Sequence, residues 1–419
     1  MFIGCYGAEG DRTPDLCSAI AALSQLSYSP SYYKGPALAG PPSCFSSVTG
    51  QRDGVKLASD ITWRTTDARA RHSPAVPSRD TVPSRGLPSA PGVGIVRAMF
   101  DELHAIDIFV AARRLAGICA RTPLRRSAAL SDVTGGDVHL KLECDQVTGS
   151  FKLRGAYNAI AALPASVRER GVVASSAGNH GLGVAWAAKH LRVPATVFVP
   201  RNAPEVKRRG IEKLDATVDA KSPNYDVAMA RAKDFALERR LTYINPCLGD
   251  TLIAGQGTVA LEILEELPEV RLVVTPVGGG GLLAGTGCLL RRVAPEIRIA
   301  GAQSVNTAAM SRSLAAGRVT HIESVPTLAD GLAGDIDEAA LDIGRRALDE
   351  IAELDEESIA NAIGFLAREE GLTVEGAGAV GVAALLDERL SLRFPCVVIV
   401  SGRNIDPDVY AGIVNGVGE

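Results

Sequence analysis

An excess of charge of either sign is missing: 44 Lys and Arg stand against 48 Asp and Glu, a formal net charge of -4. There is no basic surplus to hold nucleic acid and no strong field to concentrate anionic substrates, so binding must come from local groups. Long apolar runs are missing too, and no stretch approaches the roughly 20 apolar residues of a membrane-spanning helix. A secretory signal is not expected, because Asp11, Arg12, Pro14 and Asp15 interrupt the N-terminus early. The eight cysteines (Cys5, Cys17, Cys44, Cys119, Cys144, Cys247, Cys288 and Cys396) are scattered, without a Cys-x-x-Cys pair or a His at metal-ligand spacing. That pattern reads as reduced thiols in a cytoplasmic protein, not as a disulfide framework.

Hydrophobic periodicity is absent from residues 1-98. Ten of the 23 prolines lie before Met99, among many serines. Such a segment cannot bury enough apolar area to offset its ordering entropy and is expected to be disordered. Ser18 to Leu26 has helical composition but no partner nearby. The functional polypeptide is expected to begin near Met99, with a mis-assigned start or a cleaved leader upstream. An organellar transit peptide is the rival, and the scattered acidic residues count against it.

From Met99 onward helical stretches alternate with short apolar runs. Asp107 to Ala120 and Gly155 to Leu163 have apolar residues at helical spacing. His139 to Leu142, Gly171 to Ala174, Ala195 to Val199, Arg271 to Thr275, Ile297 to Ala300 and Cys396 to Val400 read as strands. Near-continuous apolar strands between amphipathic helices indicate parallel sheets covered on both faces. The length leaves room for two or three domains.

Three segments carry chemistry. Lys152, in the run Thr148 to Ala156, is flanked by Phe151 and Gly155, flat or small neighbours that would let a planar ring lie against the backbone. A lysine sheltered from water gives up its charge more readily, which leaves the free amine that forms a Schiff base. Gly278, Gly279, Gly280, Gly281 and Leu282 follow a strand and precede a helix of small residues. Backbone N–H groups there make an anion cradle suited to a phosphate, although a tight turn for close helix packing has the same composition. Ser175, Ser176, Ala177, Gly178, Asn179, His180 and Gly181 likewise open a helix and offer a second anion site.

These motifs, in that order and with Ser401 to Asn404 near the end, resemble the fold-type II pyridoxal-phosphate enzymes. Within them the chain is most similar to the threonine/serine dehydratases, over roughly residues 107–406. The resemblance implies an α/β, tryptophan synthase β-like fold of two open parallel-sheet domains with the cofactor in the cleft. A large domain would comprise 99-170 and 248-419, and a small one 171-247. It implies Lys152 as cofactor anchor and general base, with Phe151, Asn179, the glycine turn with Leu282, and Ser401 against pyridoxal 5'-phosphate. Asn179 would bond the 3'-oxygen of the cofactor, with helix capping as its other reading. Ser176, Ala177, Gly178, Asn179 and His180 would take the substrate carboxylate, with no chemical step given to His180. Ser401, a neutral hydroxyl facing the pyridine nitrogen, would favour elimination over transamination. Glu375 would lie near the ring or serve as a helix N-terminal carboxylate.

The activity so implied is β-elimination of water from a small hydroxy amino acid to a 2-oxo acid and ammonia, by a homodimer. The chain stops soon after Ser401, so no effector domain and no isoleucine feedback are expected. Serine racemases, the nearest rival, carry a serine immediately before the Gly-Asn-His where this chain has Ala177, so the second face of the substrate lacks a donor. Gln303 and Ala309 replace the acidic ligands of the racemase cation site, so no metal is expected. Arg403 stands where the family commonly has glycine and could contact substrate or a partner element; the ending Gly402 to Asp406 resembles the dehydratase-like enzymes of hydroxyectoine breakdown, so such an enzyme, acting on a less common hydroxy- or diamino-acid, is the alternative function. A non-catalytic cofactor carrier is a further reading, opposed by the presence of both Lys152 and the glycine turn.

Overall fold

A computed structural model describes residues 103–323 and 325–416, which fall in one compact unit. The expectations for residues 1-98 lie outside the described residues. Among the described residues there are ten strands: β1 Leu124–Arg126, β2 Val138–Lys141, β3 Val172–Ser175, β4 Ala195–Pro200, β5 Thr217–Ser222, β6 Thr242–Tyr243, β7 Leu272–Pro276, β8 Arg298–Ser304, β9 Glu350–Leu354 and β10 Cys396–Ile399. They form a six-stranded sheet ordered β1-β2-β10-β7-β8-β9 and a four-stranded sheet ordered β5-β4-β3-β6. Every pairing is parallel except that of β1 with β2. Parallel strands need crossovers that lay helices on the sheet faces, so inner strands such as Cys396–Ile399 are buried throughout.

The helix predicted from Gly155 begins earlier, at Lys152, and runs to Ala161. Glycine obscured its first turn in the sequence pattern, and packing explains the glycine: a methyl group on Gly155 would fall 2.8 Å from the Leu252 carbonyl. The helix Asp250–Glu266 in turn meets Gly281–Val293 backbone to backbone, where a methyl on Gly285 would lie 2.4 Å from Gly257 N. Small residues thus bring three helices into direct contact, and two of them begin at Lys152 and at the glycine turn.

Beneath that contact lies a buried ionic cluster. Arg154, 1% exposed, donates Nε and Nη2 to the two Glu143 oxygens at 2.8 Å each. On its other edge it meets Glu262 at 2.7 and 2.9 Å. Lys141 Nζ lies 2.8 Å from Glu262. Burial works against the Arg154 charge, but Glu143 and Glu262 outweigh it and hold the guanidinium protonated. The paired fork geometry satisfies both ends of the guanidinium and fixes the helix two residues after Lys152.

Candidate active site

Four segments meet around Lys152. The end of β10 pairs with the chain just before the lysine: Ser150 bridges Gly402, and Phe151 N–H donates to the Ser401 carbonyl at 3.1 Å. The stretch after β6 joins the others. Its Pro246 carbonyl accepts from Lys152 Nζ at 2.9 Å, and its Ile244 carbonyl bonds His180 Nε2 at 2.9 Å. Cys247, next in line, is pressed against the glycine turn, since a methyl on Gly279 would fall 2.6 Å from its Sγ and one on Gly281 2.9 Å from its carbonyl oxygen. Residues 244–247 therefore link lysine, glycine turn and Asn179 loop. Sequence reading missed them, because a two-residue strand followed by Asn-Pro shows no periodicity.

Lys152 is half-buried and opens toward this junction, with Nζ 5.2 Å from the Phe151 ring centroid. The expectation of a buried lysine is corrected accordingly: the side chain is only half-buried, with Nζ bonded to the Pro246 carbonyl.

The glycine turn precedes the helix Gly281–Val293 without a side-chain cap. Gly280 has φ 84°, a conformation that favours glycine, and a methyl there would meet nothing nearer than 3.7 Å. Gly278 is closed off by Leu332, whose Cα would lie 2.9 Å from a methyl. Leu282 is buried behind the turn. First-turn N–H groups with no protein cap, next to open space, suit an anion.

Asn179 begins the helix Asn179–Leu191 after an uncapped Gly178, and a methyl on Gly178 would meet no atom within 4 Å. Ser176, Ala177 and Gly178 are half-buried, and Ser176 Oγ accepts from Gly178 N at 3.2 Å. Asn179 does not cap its helix. Its Nδ2 donates to Glu375 Oε1 at 2.6 Å, and its Oδ1 accepts from Asn404 Nδ2 at 2.5 Å. Asn404 also donates to the Thr148 carbonyl at 2.9 Å. Glu375 precedes the helix Gly376–Leu386 but makes no cap bond, so its carboxyl serves Asn179 instead. Burial, and then Asp330, push that carboxyl up to about 7, against the Asn179 bond and the charges of Lys207 and Lys152. Asp330 and Lys207 are themselves paired at 3.3 Å and had no signal in the sequence beyond being charged.

His180 is 2% exposed, and burial together with the Lys152 charge pushes its imidazole down to about 3. It stands neutral, donating Nε2–H to the Ile244 carbonyl. Ser401, 3% exposed, donates Oγ–H to the Ala377 carbonyl at 3.2 Å. Arg403 points elsewhere: its guanidinium, half in solvent, lies 3.5 Å from Asp145, and only its backbone N–H, bonded to the Gly149 carbonyl, touches the lysine segment.

Pyridoxal phosphate fits these residues. An uncapped glycine turn can seat the phosphate, Lys152 offers the amine, and Thr148 Oγ1, Ser150 Oγ and His180 Nδ1 are buried polar atoms without a partner in the protein. Comparison with known proteins agrees. The chain is 43% identical over 313 residues to an L-threonine ammonia-lyase of Thermotoga maritima, covering 74% of this chain and 77% of that one. The fold matches maize serine racemase with a TM-score of 0.71 at 31% identity, over 75% of this chain and 98% of that one. It matches processed threonine deaminase isoform 2 of Solanum lycopersicum with a TM-score of 0.71 at 30% identity, over 78% and 91%. Residues 115–402 match the family described as pyridoxal-phosphate dependent enzyme. With lysine, uncapped glycine turn and parallel-sheet scaffold all in place, the chain belongs to that family and has pyridoxal phosphate as its cofactor.

Proposed function

We propose that the protein is a threonine/serine dehydratase, eliminating water from a small β-hydroxy amino acid to give a 2-oxo acid and ammonia. The observation that carries this reading is the meeting at residues 244–247 of a lysine amine, an uncapped glycine turn and a second uncapped helix start. Bound pyridoxal phosphate supplies the electron sink that makes the substrate α-proton acidic. Lys152 Nζ would hold the cofactor and, as a free amine beside the substrate, would take the proton from Cα. The N–H groups of the first turn at Asn179 hold the substrate carboxylate, and Gly178 leaves them room. Asn179 orients the cofactor's 3'-oxygen while Glu375 and Asn404 hold its amide from both ends. Ser401, Phe151, the glycine turn and Leu282 complete the seat. The proton removed from Cα balances the β-hydroxyl that would leave as water, and the enamine set free would hydrolyse to the 2-oxo acid and ammonia.

Ala177 supports elimination over racemisation, because no hydroxyl stands beside the Gly178-Asn179-His180 run to return a proton on the second face. The four-stranded sheet, confined to residues 172–243, supports reading 171-247 as a small domain against 99-170 and 248-419. We extend the proposal to a cytoplasmic homodimer without nucleic-acid partners. Among the described residues no helix is long and apolar enough to cross a membrane, and the five cysteines described are free.

Purified holoenzyme should release 2-oxobutyrate from L-threonine or pyruvate from L-serine, and Lys152→Ala should lower kcat by roughly 10²–10⁴-fold or more. A cofactor-loaded protein silent to both amino acids would overturn the substrate assignment and leave the family intact. Size-exclusion with light scattering tests the dimer.

A further inference from the structure

We propose that the buried side-chain amide of Gln303 holds the glycine turn in position by filling a point between two backbone carbonyls that a cation would otherwise have to occupy, so that cofactor binding here needs no metal ion. The inference rests on reading Gly278–Gly281 as the phosphate seat.

Gln303, near the end of β8, is 0% exposed. Its Nε2 donates to the Val277 carbonyl at 3.3 Å and to the Thr307 carbonyl at 3.2 Å. Its Oε1 accepts from Ser311 N at 2.8 Å. Val277 immediately precedes Gly278, so its carbonyl orientation sets the first peptide of the turn. Thr307 ends the short turn Val305–Thr307, and Ser311 lies in the first turn of the helix Ala309–Ala316. One side chain thus ties the glycine turn to two other segments, and each of its polar atoms is used.

The chemistry of the point is specific. Two carbonyl oxygens from separate segments converge on one nitrogen, in a place no water reaches. Buried carbonyls need either an N–H donor or a hard cation, and a primary amide offers two donors from a single atom. A carboxylate at position 303 would instead set its own oxygens against those carbonyls, an all-acceptor arrangement that only a cation relieves. Among the described residues no group of three or more His, Cys, Asp or Glu could hold a metal ion. Gln303 is a positioning residue, acting on the cofactor through Val277.

The test is cofactor titration by visible absorbance, with tetramethylammonium as the sole buffer cation and then with potassium or magnesium added. Wild-type affinity should stay within roughly twofold throughout, while Gln303→Glu should bind about tenfold or more weaker without these cations and recover when one is supplied. The melting temperature of the cofactor-free Gln303→Glu protein should rise with the same cations, and that of the wild type should not. Gln303→Met, which removes the bonds without adding charge, should weaken binding with no cation response.

A wild type that needs potassium or magnesium overturns the proposal, even if no variant folds. So does a Gln303→Glu protein that loses the cofactor and is restored by no cation, since Gln303 would then only cap the helix Ala309–Ala316. Gly280→Asp, read against Gly280→Ala to cancel the strain any side chain meets at φ 84°, separates the two levels, because it places a carboxylate in the seat where a side chain has space. If that variant keeps wild-type affinity, the phosphate reading fails. If it loses the cofactor while Gln303→Glu ignores cations, only the role of Gln303 fails.

Discussion

Replacing Glu375 with glutamine removes a titration that costs the folded protein stability as pH rises. The carboxyl is 5% exposed and faces Asp330, Lys207, Lys152 and the Asn179 amide. Its ordinary value is 4.5, and in the fold it is pushed up to about 7 by burial first and Asp330 second. A raised folded value means that the neutral form is favoured in the native state. The contribution is therefore fully present below about 4.5 and is lost as pH climbs through about 7. At about 1.4 kcal/mol per unit, the interval corresponds to about 3 kcal/mol above neutrality. The substituted amide would keep an oxygen to accept from Asn179 and would not ionise. Urea unfolding of cofactor-free protein, with the ring's charge out of the balance, should show Glu375→Gln gaining about 2–3 kcal/mol on the wild type between about pH 5 and about pH 8. A gap of the same size at both pH values would refute the reasoning, because Glu375 would then be ionised, or neutral, throughout.

Other substitutions probe different parts of the structure. Arg154→Met leaves Glu143 and Glu262 buried without their shared cation and should destabilise the protein by about 3–5 kcal/mol in the same unfolding assay. Ala177→Ser places a hydroxyl beside the Asn179 loop. It should bring measurable D-serine formation from L-serine, against little or none in the wild type, read by chiral chromatography. Arg403→Ala should change kcat/KM by less than about twofold, because an exposed ion pair facing away from the cleft contributes about 0–1 kcal/mol.

Which strands the sequence revealed follows from their place in the sheets. The six recognised runs, at β2, β3, β4, β7, β8 and β10, are all interior strands, paired on both sides and covered by helices. Burial on both faces demands continuous apolar residues, and that is a visible signal. The four that escaped notice, β1, β5, β6 and β9, are the sheet edges. Thr217–Ser222 reads Thr-Val-Asp-Ala-Lys-Ser and Glu350–Leu354 reads Glu-Ile-Ala-Glu-Leu, half-polar patterns that suit an edge and resemble a loop or helix in isolation. The candidate site divides in the same way. Lys152, the glycine turn and Ser401 sit in local motifs with their own composition. The two partners of Asn179, Glu375 and Asn404, and the pairing of Arg403 with Asp145 depend on chain segments roughly 200 or more residues away, and no local pattern records them.

Strand β10 lies between β2 and β7, holding the halves β1-β2 and β7-β8-β9 together. It is also made after all the other described strands. At about 5–20 residues per second, a ribosome takes on the order of tens of seconds to travel from β2 to β10. Until β10 is made, the inner edge of β2, and that of the largely apolar β7 once it has been made, is unpaired and open to pairing with other nascent chains. The growing polypeptide should therefore be most vulnerable to aggregation just before residue 396 appears. Co-translational protection by chaperones would have its largest effect on yield in that window.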